Sequence, residues 1–150
     1  MRVVRAGYDQ LIRAPTKTIT FTGASGLGLA GVAVPVWTLS GRVLLHYMTA
    51  FVSTAVVSTA DAGTISLGTA SITNKLITAT TVGAGTFVAN EWWAAGVSTA
   101  GILQDIVNYS FLSASCSESI IITPLTQNIT SGVLVFDCWY RSLTAGGSLS

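Results

Sequence analysis

The feature that most restricts what this chain can fold into is a two-residue rhythm. Residues 17–22 set Ile19 and Phe21 between threonines, and residues 132–142 alternate Val133 and Val135 before Phe136, Trp139 and Tyr140. Residues 106–113 repeat the pattern with Ile106, Tyr109 and Phe111. A period of two places alternate side chains on opposite faces of a strand, whereas a helix needs a period near 3.6. No helical stripe competes, and the residues that clothe exposed helices are scarce. Glu, Lys and Gln together number seven, against 20 Thr and 16 Ser. Hydroxyl-bearing and β-branched residues fit pleated, half-buried surfaces.

Glycine, proline and asparagine punctuate the rhythm. Residues 32–39 read as a strand that Pro35 confines to an edge or a bulge, because proline cannot donate to a ladder. Residues 42–52 form a long strand with Val43, Leu45, Tyr47 and Phe51 expected on one face. Shorter strands follow at 64–67, 76–81 and 86–94, with loops at 68–74 and 96–101. The apolar run at 118–123 is stopped by Pro124. The result is eight or nine short strands separated by turn chemistry, the signature of an all-β sandwich or barrel, and about eight strands suit a jelly roll. The expected organisation is an extended basic N-terminal arm over 1–16, a β-sandwich over 17–143 and a flexible Gly/Ser tail over 144–150. At 150 residues there is room for one such domain.

Only 9% of residues are charged, far below the roughly 25% of ordinary soluble domains. Such a surface is solvated by hydroxyls or buried against a partner, since large bare apolar patches promote association. A formal net charge of +1 offers no global attraction to nucleic acid or an anionic membrane, so neither is an expected partner. Four of the seven basic residues (Arg2, Arg5, Arg13 and Lys17) lie in the first 17 positions. No secretory signal is expected, because Asp9, Gln10 and Arg13 interrupt the apolar stretch one would need. The sequons at Asn108 and Asn128 then carry little meaning. The uncharged stretch 43–60 reads as a buried strand and turn rather than a membrane helix. Cys116 and Cys138 could be bridged geometrically, but a cytoplasmic origin favours free buried thiols.

Little chemistry is legible. Gly26-x-Gly28-x-x-Gly31 follows a strand and resembles the cofactor turn of short-chain dehydrogenases. That reading requires a helix starting there to hold a pyrophosphate, but Val32-Ala-Val-Pro35-Val follows. The Tyr-x-x-x-Lys pair is missing too, so a hairpin turn explains the glycines better. His46 lies inside a strand with no nucleophile elbow in the chain, which fits a hydrogen-bonded core or interface histidine. The six acids are scattered, and metal ligands are few. No enzyme, cofactor or metal site is expected. Trp92 and Trp93 beside Glu91, and Trp139 and Tyr140 beside Arg141, could line a carbohydrate surface or stack on bases. Strand alternation instead predicts one of each pair in the core and the other at an interface.

Several segments resemble small β-rich proteins encoded among tailed-bacteriophage structural genes. They are Gly63-Thr-Ile-Ser-Leu-Gly-Thr-Ala-Ser, Leu76-Ile-Thr-Ala-Thr-Thr, Ala89-Asn-Glu-Trp-Trp and Ile120-Ile-Ile-Thr-Pro. The ending Thr130-Ser-Gly-Val-Leu-Val-Phe-Asp-Cys-Trp-Tyr-Arg-Ser-Leu adds the Thr-x-Gly turn and Trp-x-x-x-Leu closing strand. The likeness spans residues 41–147 and leaves the arm unmatched. It implies a virion protein, a capsid decoration (cement) protein with a jelly-roll fold that clamps neighbouring major capsid subunits as a dimer or trimer. Its place would be the capsid surface, after assembly in the host cytoplasm. A tail, neck or head-fibre component is the alternative within the same particle, and a carbohydrate-binding adhesin using Trp92, Trp93 and Trp139 the alternative outside it. Candidate capsid or subunit contacts are Arg2, Arg5, Arg13, Trp92, Trp93, Trp139 and Tyr140, with the arginines ordering on an acidic capsid surface.

Overall fold

The computed structural model describes residues 10–23, 27–94, 97–99 and 114–150. They form an antiparallel β-sandwich without an α-helix. In chain order the strands are β1 (Ile12–Arg13), β2 (Lys17–Phe21), β3 (Val34–Trp37), β4 (Leu39–Ser40) and β5 (Val43–Ser58). After a 3₁₀ turn at Thr59–Asp61 come β6 (Gly63–Gly68), β7 (Ile77–Val82), β8 (Trp92–Ala94) and β9 (Val97–Thr99). The chain closes with β10 (Ala114–Cys116), β11 (Ile120–Leu125), β12 (Ile129–Ser142) and β13 (Ser148–Leu149).

Two long strands organise the larger, seven-stranded sheet. β5 and β12 pair antiparallel along nearly their whole lengths. β2 and β1 add to the free side of β12, and β8, β9 and β10 lie beyond β5. The second sheet runs β3-β11-β6-β7, and β13 pairs with β4 in a small ribbon. Between the two sheets lie Leu45, Val52, Leu134 and Phe136 from one side and Ile65, Leu67, Ile120 and Ile122 from the other, all fully buried. Trp37 meets Phe136 edge-on, and its indole N–H donates to the Pro15 carbonyl at 2.8 Å.

Alternation accounts for most of these strands, and the departures have physical causes. Pro35 does lie in an edge strand, as its missing donor requires. Pro124, expected to stop its strand, instead sits inside β11 opposite Ile65. Its carbonyl accepts from Gly31 N–H on the side that β3 has already left, so the absent N–H interrupts no ladder. Residues 86–91, read as strand, are a turn in which Phe87 and Asn90 take left-handed conformations (φ 55° and 71°), and only Trp92–Ala94 are extended. Within the expected loop at 96–101, Val97–Thr99 pair with β8.

Both chain ends are more engaged than expected. The arm read over 1–16 joins the sheet at residues 12–13, which pair with Tyr140 and Trp139. Ala14 is buried and donates to the Cys138 carbonyl. The tail read as flexible over 144–150 folds back, burying Leu149 and exchanging backbone hydrogen bonds between Ser150 and Thr38. An apolar side chain near the terminus has a slot to fill, and composition alone does not show the slot. The uncharged stretch 43–60 is mainly strand β5, and among the described residues no helix is long and apolar enough to cross a membrane. The strand expected at 106–113 and the arginines Arg2 and Arg5 lie outside the described residues.

Candidate interaction face

The outward side of the seven-stranded sheet is built by a register change at one residue. Tyr140 pairs with Leu45 and Trp139 with Tyr47, which leaves His46 as an extra residue, a β-bulge. Before it, Val43 and Leu45 face the core; after it, Met48, Ala50 and Val52 do. Tyr47 and Phe51 are therefore shifted to the opposite face from Val43 and Leu45, correcting the single-face reading of this strand. A one-residue slip exchanges the faces of everything that follows it. His46 is itself half-buried, and its Nε2 is enclosed with no hydrogen-bond partner among the described residues.

The outward row that results is aromatic and aliphatic. Trp139 lies opposite Tyr47, Val135 opposite Phe51, and Phe51 opposite Trp92. The Tyr47 and Trp139 rings meet edge-on at 5.1 Å, and Phe51 and Trp92 lie 4.8 Å apart. All five side chains are half-buried. An ion-paired clip borders the row. The Asp137 carboxylate accepts from Arg13 and from the Thr16 hydroxyl, each at 2.6 Å, and the Arg13 guanidinium lies 5.5 Å from the centre of the Trp139 ring. Partial burial pushes the Asp137 carboxyl up, but the hydrogen bonds from Thr16 and Arg13 and the Arg13 charge outweigh it, leaving the group below its ordinary range.

Alternation divides the expected site residues as predicted. Trp93 and Tyr140 point into the core, while Trp92 and Trp139 face outward. Trp93 is 1% exposed, packs on Phe87 and Phe136, and donates to Thr80 Oγ1 at 2.8 Å. Trp93 and Tyr140 are thus not surface contacts. Arg13 is exposed but tied to Asp137. The structure adds Leu44, Tyr47, Phe51, Val133 and Val135 to the outward face, half-buried like the tryptophans. Val133 and Val135 were legible from their alternation with Phe136; Tyr47 and Phe51 were not, because a bulge has no sequence signature here.

The other candidates for chemistry resolve into packing. The glycine-rich segment 27–33 is a turn that runs directly into β3. The Gly28 carbonyl accepts from Ile129 N–H at 2.7 Å, and a Cβ on Gly28 would lie 2.1 Å from the Ile129 carbonyl oxygen. Its φ of 128° likewise favours glycine. Cys116 and Cys138 are buried free thiols. Burial, helped by Cys116 and Asp137 nearby, pushes the Cys138 thiol up to about 12, so it is no nucleophile at neutral pH. Among the described residues no three His, Cys, Asp or Glu side chains are grouped to hold a metal ion. Comparison with protein-family profiles, curated proteins and solved structures found no match.

Proposed function

We propose that the chain is a structural protein of a tailed-bacteriophage particle, a capsid decoration or cement protein that binds the shell of major capsid protein and stabilises it by oligomeric clamping. The observation that carries this reading is the outward face of the larger sheet. It sets Tyr47, Phe51, Trp92, Val135 and Trp139 side by side on a chain of low charge. Tryptophan and tyrosine anchors among aliphatic residues are the usual composition of protein interfaces. Many modest contacts repeated over a symmetric shell then supply avidity.

The strand order supports the jelly-roll part of the proposal. Counting β2, β3, β5, β6, β7, β8, β11 and β12 as the principal strands, one sheet runs first-eighth-third-sixth and the other second-seventh-fourth-fifth. Two Greek keys nested in this way define a jelly roll. A carbohydrate-binding adhesin is less well supported, because the outward rings form no flat platform. Phe51 and Trp92 are tilted by 54°, and Tyr47 and Trp139 by 63°.

The test is co-sedimentation of the purified chain with shells of the particle whose genome encodes it. The expected result is saturable binding, with a higher disruption temperature for decorated shells. A folded chain that leaves shells bare and binds tails or fibres, or none of the particle, would overturn the decoration role.

A further inference from the structure

We propose that residues 1–9 of one copy dock on the end of a second copy built from its turns at 27–33, 59–62, 83–91 and 126–128. Arg2 and Arg5 would meet the Asp61 carboxylate there, and Val3 and Val4 would cover Val57 and Val88. The inference rests on the oligomeric part of the decoration reading and names the contact between copies. Hydrogen bonds tie the receiving turns into one firm end. Thr59 N–H donates to the Asn128 carbonyl at 2.9 Å, and Ala30 N–H to Asn128 Oδ1 at 3.0 Å. Thr126 Oγ1 donates to the Ala62 carbonyl at 2.8 Å, and Val56 N–H to the Phe87 carbonyl at 3.0 Å. This end nevertheless leaves apolar side chains bare, with Val57 43% and Val88 47% exposed. Asp61 is exposed at the same end, and among the described residues no group bonds its carboxylate.

Charge and reach select the occupant. Among the described residues of these turns there is no Lys or Arg, and the carboxylates are Asp61 and Glu91. Glu91 already accepts from Val88 N–H, so the charge offered outward is that of Asp61. A two-fold contact of this end with itself would set Asp61 against Asp61, which opposes it. Residues 1–9 carry the matching chemistry, with Arg2 and Arg5 on either side of Val3 and Val4. Their own copy cannot deliver it. Ile12 pairs with Tyr140, and β12 runs from there back to Ile129 at the turn end, about 36 Å away at about 3.3 Å per residue. Arg5 lies seven residues before Ile12 and reaches at most about 25 Å from it. A second copy placed head to tail removes that gap. Such a heterologous contact closes into a ring when copies surround a symmetry axis.

Analytical ultracentrifugation of the full chain tests this by exchanging charges. Wild type is expected to self-associate reversibly, and less as salt is raised. The double variant Arg2→Glu with Arg5→Glu, and separately Asp61→Lys, are each expected to weaken self-association at least about tenfold. Asp61→Asn suits the left-handed backbone at that position (φ 51°) and should weaken it in the same direction without straining the turn. An equimolar mixture of the two reversed variants should associate again, because each arm then meets its opposite charge. Folded variants that fail to associate on mixing would overturn the inference. So would a wild-type chain still monomeric at about 1 mM, the effective concentration of tethered neighbours. Association that Phe51→Lys abolishes and the arm reversal leaves intact would place the contact on the aromatic row and overturn it too. Shells that bind wild type and all variants alike, with no association between free copies, would remove this inference and leave the decoration role standing. Copies that associate through restored charge pairing but ignore shells would do the reverse.

Discussion

Trp92 and Trp93 are adjacent in the chain and differ in almost everything physical. Trp93 is enclosed between Phe87 and Phe136 with its indole N–H satisfied by Thr80, whereas Trp92 rests half-open against Phe51. Trp139 and Tyr140 repeat the contrast on β12, with Tyr140 buried and Trp139 outward beneath Arg13. The lesson is that one strand builds two different surfaces. Its inner residues fill the sandwich, and its outer residues form a half-open aromatic row.

The sharpest way to break this contrast is to truncate each ring in turn. Trp93→Ala should lose about 3–5 kcal/mol of stability in urea unfolding, the range for large aromatic deletions in a core. Trp92→Ala should lose only about 1 kcal/mol, the scale of an aromatic pair. Equal losses would mean that the outer ring is as structural as the inner one. Trp139→Ala tests the second pair and should also lose about 1 kcal/mol, from the Tyr47 contact and the Arg13 cation–π contact together.

The smallest effect concerns the Asp137 clip. Its carboxyl lies below the ordinary value of about 3.9 in the folded chain, so its contribution is complete above that value and is lost as pH falls through the lowered one. Asp137→Asn should therefore be about 0.5–1 kcal/mol less stable than wild type at neutral pH, the scale of a partly exposed pair. The two proteins should converge as urea unfolding is repeated at successively lower pH below about 4. A difference that persists unchanged into acid would show that the carboxylate charge is not what holds β1.

Much of the architecture was legible before the structure. The threonine alternation of β2, the isoleucines of β11 and the valines of β12 each report a strand directly, and Pro35 reports an edge. The division of the tryptophan pairs was also legible as a rule, although not which member faces inward, because alternation is the same in either phase. Residues 86–91 and 144–150 were misread because their conformations answer to contacts distant in sequence. Val56 N–H donates to the Phe87 carbonyl, and Leu149 pairs with Leu39.

Local chemistry, then, was enough to establish an all-β chain. Threonine, serine and branched residues at a period of two leave no helix a continuous apolar stripe, and glycines and prolines mark where strands end. The tertiary structure alone decided the outward aromatic face. Inserting His46 into β5 is a matter of pairing with β12, and that pairing turns Tyr47 and Phe51 outward to join Trp92 and Trp139. Register is a property of two strands together, so neither strand read by itself contains it.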